Sequence, residues 1–162
     1  MKTFEELKEE LLNRAKNANA CQNGYKMGLD AKNKADLLKA ITANWFWVLI
    51  DARIVDAIYL EENFTEEELS EAGIYTRKCH EVRTVSFACG SATVKACGSA
   101  TVEAYDSAKV KAYGSATVKA YDDSYVEDRT DNIRPESDYA IVKDYYNHKI
   151  YIRKGKFEII EV

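Results

Sequence analysis

Residues Ala88–Glu127 read ACGSATVK ACGSATVE AYDSAKVK AYGSATVK AYDDSYVE, which is five consecutive octads. Position one of every octad is Ala, position seven is Val, and position three is Gly or Asp. Because eight is an even number, the alternation of a β-strand stays in phase from one octad to the next. We therefore expect positions one, five and seven to face a core of small apolar side chains, positions two, six and eight to face outward, and position three to lie in a turn.

Two β architectures fit this period. An antiparallel meander keeps Val opposite Val only if its turns are the three residues Tyr-Gly-Ser. A β-solenoid instead makes each octad one arm of a coil and stacks identical positions on one another.

The charges at position eight distinguish the possible coil sizes of a solenoid. With two octads per coil, Glu103 stacks on Lys119 and Lys111 stacks on Glu127. With three octads per coil, Glu103 stacks on Glu127 and Lys95 stacks on Lys119. Opposite charges on neighbouring strands attract and like charges repel, so two octads are favoured. The sequence thus predicts a flattened two-arm solenoid of about two and a half coils.

The region before the repeat, residues 1–78, predicts helices. Thr3 with Glu6, and Thr65 with Glu68, have the spacing of capping boxes. The helix that Thr65 opens should end at Gly73, because glycine readily adopts the left-handed conformation that closes a helix.

The chain between these two capping boxes predicts one further helix. Asn23-Gly24 and Gly28 predict breaks in the chain. The helix begins near residues 34–36 and carries an apolar face as far as Ile54. Aromatic residues at helical spacing pack in a core more often than they bind ligands, so we expect core positions for at least two of the three aromatic residues in Trp45–Trp47.

The region after the repeat, residues 131–162, contains the only proline and the three strand-like runs YAIVKDYY, KIYIRK and KFEIIEV. The last two runs meet at Lys154-Gly155, which predicts a β-hairpin. Because a bare terminal coil exposes unpaired backbone, we expect the helical region to cover the first coil and this hairpin to cover the last. The predicted fold is α+β, with helices in residues 1–78, the solenoid in 79–130 and a β cap in 131–162.

The octad AYGSATVK is similar to the octapeptide halves of bacterial ice-nucleation protein repeats. It resembles more closely the β-solenoid proteins with AYDSATVK-type octads in gut bacteria, their phages and mobile elements. Those proteins commonly place a short helical region before the repeat, ending in a motif such as LSEAGIY, which is Leu69–Tyr75 here. The resemblance covers roughly residues 64–128 and implies the architecture. Together with the small size and the acidity of the chain, the mobile-element resemblance points to a non-enzymatic inhibitor of a host protein, of which an anti-CRISPR protein is one example.

Composition narrows the classes of function. The 162 residues have a formal net charge of −4, which argues against a broad nucleic-acid-binding face. No apolar run approaches the roughly 20 residues of a membrane span, and the charged N-terminus is unlike a secretory signal, so we expect a cytoplasmic protein. The sequence has no phosphate-binding loop, dinucleotide fingerprint or nucleophile motif, so we expect neither an enzyme nor a cofactor.

The cysteines and histidines do not predict a metal site. Four cysteines and two histidines are present, and none has the spacing of a zinc site. Cys89 and Cys97 occupy position two of the first two octads. Since successive octads lie on opposite arms of a coil, we expect these two thiols to be too far apart for a disulfide.

The outward tyrosines Tyr105, Tyr113, Tyr121 and Tyr125 are the candidate partner-binding residues. Tyrosine offers a large contact area at a low entropy cost and is enriched at recognition surfaces. The alternative for any one of them is a stacked ladder, such as Tyr105 over Tyr121, that stiffens the solenoid. We expect a non-enzymatic module that binds a protein, and the main alternative is a self-assembling scaffold or homodimer.

Ice binding is a weaker hypothesis, and it rests on the similarity to ice-nucleation repeats. It needs a long and regular threonine array. The expected arms divide Thr93, Thr101 and Thr117 between two faces, and Lys109 interrupts the series.

Overall fold

A computed structural model describes residues 1–131, 133–137 and 139–160. The chain forms two compact units, Met1–Ala72 and Gly73–Val162. The first unit is helical. Its elements are α1 (Phe4–Asn17), α2 (Gln22–Asp30), α3 (Lys34–Ala43), a π-helical turn (Trp47–Asp51), α4 (Ala57–Asn63) and α5 (Glu66–Glu71).

Both predicted capping boxes are confirmed. The Thr3 hydroxyl accepts the Glu6 backbone N–H at 3.3 Å, and the Glu6 carboxylate accepts the Thr3 N–H at 2.8 Å. Thr65 and Glu68 make the same two bonds, at 3.1 and 2.8 Å, at the start of α5. Gly73 follows α5 with a φ of +74°, the conformation expected of a glycine that ends a helix.

The predicted break at Gly24 and Gly28 is wrong, because both glycines lie inside α2. The Cys21 sulfur accepts the Gly24 N–H at 3.4 Å and caps the helix. Contacts of α2 with α1 and α3 hold a segment that has weak helical propensity of its own.

The helix that follows is shorter than the sequence predicts. It ends at Ala43, and the chain then forms the π-helical turn, in which the Ala52 N–H donates to the Trp47 carbonyl at 2.8 Å. Trp45 is buried, Trp47 is half-buried and Phe46 is 42% exposed. One of these three aromatic residues is therefore fully in the core, where at least two were expected.

The second unit is a β-solenoid. The strands are β1 (Ile74–Tyr75), β2 (Cys79–Val82), β3 (Val85–Ala88), β4 (Thr93–Ala96), β5 (Thr101–Ala104), β6 (Lys109–Ala112), β7 (Thr117–Ala120), β8 (Tyr125–Asp128), β9 (Ile141–Asp144) and β10 (Lys149–Tyr151). From β1 to β8 they alternate between a first sheet, in the order β1-β3-β5-β7, and a second sheet, in the order β10-β9-β8-β6-β4-β2, which β9 and β10 extend.

The strand register confirms the two-arm solenoid and excludes the meander. The octad strands pair in parallel with a shift of sixteen residues, so that Thr101 lies beside Thr117 and Thr93 beside Lys109. The predicted opposite charges meet: Lys119 and Glu103 are 3.0 Å apart, and Lys111 and Glu127 are 3.3 Å apart. The position-seven valines are all buried, as predicted; they are Val94, Val102, Val110, Val118 and Val126.

The backbone conformation at position three explains why every octad has Gly or Asp there. All five of its residues have φ between +50° and +68°. This left-handed region suits glycine and is tolerated by aspartate better than by most residues. The two aspartates also bond to neighbouring coils, because Asp106 accepts the Gly90 N–H at 2.9 Å and Asp122 accepts the Asp106 N–H at 3.2 Å.

The solenoid is longer than the five octads predict. It has about four turns, because β1 to β3 precede the octad strands and β9 follows them. Val82 lies beside Ala96, and Val142 beside Val126, so both valines extend the core at inward positions.

The C-terminal hairpin is formed by different strands from those predicted. It joins β9 to β10, with Lys149 paired to Asp144, and not the runs that meet at Lys154-Gly155. The Asp144 carboxylate accepts the backbone N–H groups of Tyr146 and Asn147, both at 2.9 Å, which fixes the turn after β9 and lowers the pKa of Asp144. Residues 156–160 of the predicted last strand are not in a strand, and Glu161 and Val162 lie outside the described residues.

Candidate binding surface

The residues at position two of the coils form two columns, one after the strands of each sheet. The first-sheet column includes Cys89, Tyr105 and Tyr121, and the second-sheet column includes Arg83, Cys97, Tyr113, Arg129 and Tyr145. From Cys89 onward, backbone hydrogen bonds like those of a parallel sheet join the members of each column to the preceding coil. In the second-sheet column, for example, the Tyr113 N–H donates to Ala96 at 2.9 Å and the Arg129 N–H donates to Ala112 at 3.0 Å.

The first-sheet column is largely buried. Cys89 and Tyr105 are fully buried, and Tyr121 is half-buried. The rings of Tyr105 and Tyr121 stack with centroids 4.7 Å apart and an interplanar angle of 8°. The Tyr105 hydroxyl donates to Glu103 at 2.9 Å, and burial together with this carboxylate raises the pKa of Tyr105. Tyr105 is therefore not exposed, although the octad pattern places it on the outward face.

The second-sheet column places a cation between two aromatic rings. The Arg129 guanidinium lies 5.8 Å from the Tyr113 ring centroid and 4.6 Å from the Tyr145 centroid. Arg129 is exposed, and both tyrosines are half-buried. Lysines approach the same rings, with the Lys95 ammonium 5.7 Å from Tyr113 and the Lys143 ammonium 4.6 Å from Tyr145. Contacts of this kind are attractive because the ring face is negative.

Tyr125 joins this cluster from the outer face of the second sheet. It is half-buried on β8, beside Ile141 of β9. Burial and the neighbouring Tyr145 raise the pKa of Tyr125, and a hydrogen bond with Tyr145 raises the pKa of Lys143. We call Tyr113, Tyr125, Arg129, Lys143 and Tyr145 the aromatic–basic surface.

The structure thus separates the four tyrosines that the sequence singled out. Tyr113 and Tyr125 belong to the aromatic–basic surface, and Tyr105 and Tyr121 belong to the stacked first-sheet column. Sequence reasoning missed Arg129, because it follows the last complete octad. The signal that could have found it is its spacing of sixteen residues from Tyr113, which equals the length of one coil.

The threonines are divided between the sheets, as the two-arm coil predicts. Thr101 and Thr117 are neighbours in the first sheet, and Thr93 lies beside Lys109 in the second sheet. A continuous threonine array therefore does not form along either series of octad strands.

Three further observations bear on the class of function. In the described part of the chain, no group of three or more His, Cys, Asp or Glu side chains is placed to hold a metal ion. None of the helices described above combines the length and the apolar character needed to cross a bilayer. No family model, curated protein or solved structure matches this chain.

Proposed function

We propose that this protein is a non-enzymatic protein-binding module and that the aromatic–basic surface contacts its partner. The observation that carries the proposal is the stack of Tyr113, Arg129 and Tyr145 on three successive coils. Tyrosine and arginine are among the residues that most often dominate interface energies. Because backbone hydrogen bonds join these three residues to the preceding coils and the two rings flank the guanidinium, binding would order little that is free beforehand.

The charge of this surface favours an acidic partner. Arg129 and Lys143 are its ionisable cations. A guanidinium that stacks on aromatic rings keeps its N–H edge for a carboxylate, which it binds with two parallel hydrogen bonds. We therefore expect aspartate or glutamate side chains of the partner to lie opposite Arg129.

The biological role that we propose is inhibition of a host protein in the cytoplasm. The support is the resemblance of the octads to those of phage and mobile-element solenoids, where an anti-CRISPR or other anti-defence activity fits a small binding protein.

A single substitution in the second-sheet column tests the proposal. We expect Arg129→Ser to reduce partner retention at least about tenfold, as loss of a central arginine contact does elsewhere. The measurement is affinity capture from a lysate of the encoding organism, quantified by mass spectrometry. Circular dichroism should give the same spectrum for the variant and the native chain.

Arg83→Ser is the matched control. Arg83 follows β2 in the same column, is exposed and pairs with Glu81 at 2.9 Å, but it is not part of the aromatic–basic surface. A partner retained by the native chain and by Arg83→Ser, and lost with Arg129→Ser, supports the proposal. Equal retention by all three proteins would assign the binding to another surface.

Self-assembly is the second candidate, and an open sheet edge favours it. Among the described strands, β10 pairs with β9 alone, so one of its edges has no strand beside it. Ile150 on β10 is 63% exposed. Unprotected edge strands pair with other chains, and charged side chains on the edge oppose this, so a second lysine beside Lys149 should block pairing. If the protein self-assembles, light scattering on a sizing column will show an oligomer that Ile150→Lys converts to a monomer; a monomeric native chain excludes the scaffold.

A further inference from the structure

The helical unit contains an apolar cavity of about 280 Å³ among α1, α2, α3 and the π-helical turn. We propose that this cavity binds a neutral apolar molecule of about ten carbon atoms. The proposal concerns the helical unit and is independent of the aromatic–basic surface. Its principal lining residues are Leu12, Ala15, Tyr25, Ile41, Trp47 and Val48.

The size of the cavity sets the size of the ligand. An apolar cavity of about 150 Å³ stays dry and binds benzene. A cavity of about 280 Å³ therefore accommodates roughly twice that volume, which corresponds to a bicyclic aromatic molecule or a chain of about ten carbons.

The cavity exists because α2 approaches its neighbours through two glycines and buries no side chain completely against them. No residue of α2 is buried. A Cβ atom on Gly24 would lie 3.1 Å from Asn44 Oδ1, and one on Gly28 would lie 3.3 Å from Leu12 Cδ2. The helix is thus in close contact at two points. Of its large side chains, Tyr25 is half-buried and lines the cavity, whereas Met27 and Leu29 are exposed and do not fill it.

The π-helical turn supplies another wall. Trp47 and Val48 line the cavity, and their carbonyls accept the N–H groups of Ala52 and Ile54, both at 2.8 Å. A π-helical turn inserts an extra residue relative to an α-helix, and such turns occur frequently at functional sites. This wall is therefore a second, independent indication of a binding site.

The lining excludes a charged ligand from the interior. No charged side chain is among the described residues that line the cavity. Asn44 is polar, but its Nδ2 already donates to the Ala40 carbonyl at 2.9 Å. A charged group would lose its hydration there without gaining a partner, whereas an apolar molecule gains contacts.

Fluorescence of 1-aminonaphthalene tests the proposal on the full chain. We expect this neutral bicyclic probe, which has ten carbon atoms, to bind with a blue-shifted emission, and 1-decanol to displace it. The variant Ala40→Phe places a ring at the cavity wall and should weaken probe binding at least tenfold. Ala35→Phe is the matched control, because Ala35 is exposed on the same helix and does not line the cavity.

Each result decides the proposal. Saturable binding that Ala40→Phe abolishes and Ala35→Phe leaves unchanged supports it. If Ala40→Phe loses helical circular dichroism, the smaller change Ala15→Leu on α1 takes its place with the same expectation. No saturable binding, or equal binding by all variants, overturns the proposal. A native dimer that Ala40→Phe dissociates also overturns it, because the cavity would then receive a side chain of a second copy.

Discussion

The two position-two columns of the solenoid use the same octad residue for different purposes. In the first-sheet column, Tyr105 is fully buried and stacks directly on Tyr121, 4.7 Å away. In the second-sheet column, Tyr113 is half-buried and the exposed Arg129 separates it from Tyr145. A tyrosine of the repeat therefore stabilises the fold on one side and is available for contact on the other.

The comparison shows that the position of a residue in the octad does not by itself determine whether its side chain is available for binding. Direct stacking covers one face of each tyrosine ring with the other ring. An arginine placed between two rings is attracted to both and still exposes a charged, hydrogen-bonding edge.

Loss of the shared core should have the largest effect. Val110 is fully buried on β6, between Val94 and Val126 on the neighbouring strands. We expect Val110→Asp to cost on the order of 5 kcal/mol and unfold the solenoid, because it buries a charge without a partner. Lys111→Glu should cost only about 0.5 kcal/mol, since Lys111 is exposed and its pair with Glu127 is partly solvated. Urea unfolding followed by circular dichroism measures both; equal losses would mean that the inward and outward faces are interchanged.

Removal of one ring from each column should separate the columns. We expect Tyr105→Ala to destabilise the fold by about 3–5 kcal/mol, because it leaves a cavity where a fully buried ring was. Tyr113→Ala should cost about 1 kcal/mol, because that ring is partly exposed and loses mainly its contact with Arg129. Thermal unfolding of the two variants provides the comparison. Similar destabilisation would show that both columns are structural.

Alkaline pH should act on the first-sheet column. Burial, followed by Glu103, raises the pKa of both Tyr105 and Tyr121 above the ordinary value of 10.0. The folded chain then holds these protons more tightly than the unfolded chain. Stability is therefore complete below pH about 10 and is lost as pH rises toward the folded pKa, by up to about 1.4 kcal/mol per pH unit for each tyrosine.

The double variant Tyr105→Phe with Tyr121→Phe isolates this contribution. It should unfold less steeply between pH 10 and 11.5 than the native chain in urea titrations. A residual loss is expected from Tyr59 in the helical unit, whose pKa burial raises to about 12. An unchanged pH dependence would place the relevant tyrosines elsewhere.

The sequence predicted the solenoid because its period is even and its inward residues are uniformly small. It did not predict the turns outside the octads, since residues such as Val82 and Val142 preserve the inward pattern without the octad letters. The hairpin was misplaced because its turn depends on bonds to the Asp144 carboxylate, and Lys154-Gly155 is the stronger local signal. The chain break predicted at Gly24 and Gly28 was wrong because tertiary contacts of α2 override the weak helical propensity of glycine.

The candidate site was predictable only in part. The octad pattern identified Tyr113 and Tyr125 as outward residues, and both lie on the aromatic–basic surface. It could not distinguish them from Tyr105, because alternation specifies the face of one strand and not what covers that face. Arg129 lies one predicted coil of sixteen residues after Tyr113, and it was missed because it falls outside the octads.

The coil of two octads also constrains how such a gene can change length. Loss or gain of one octad would move every later position-two residue from one column to the other. The stacked tyrosines and the cation-bearing residues would then exchange sheets. Loss or gain of sixteen residues would keep each residue in its own column, since the strands in each sheet repeat at that interval. Descendants of this sequence can therefore lengthen or shorten by pairs of octads and keep the two columns distinct. A change of a single octad instead exchanges the two columns in every later coil.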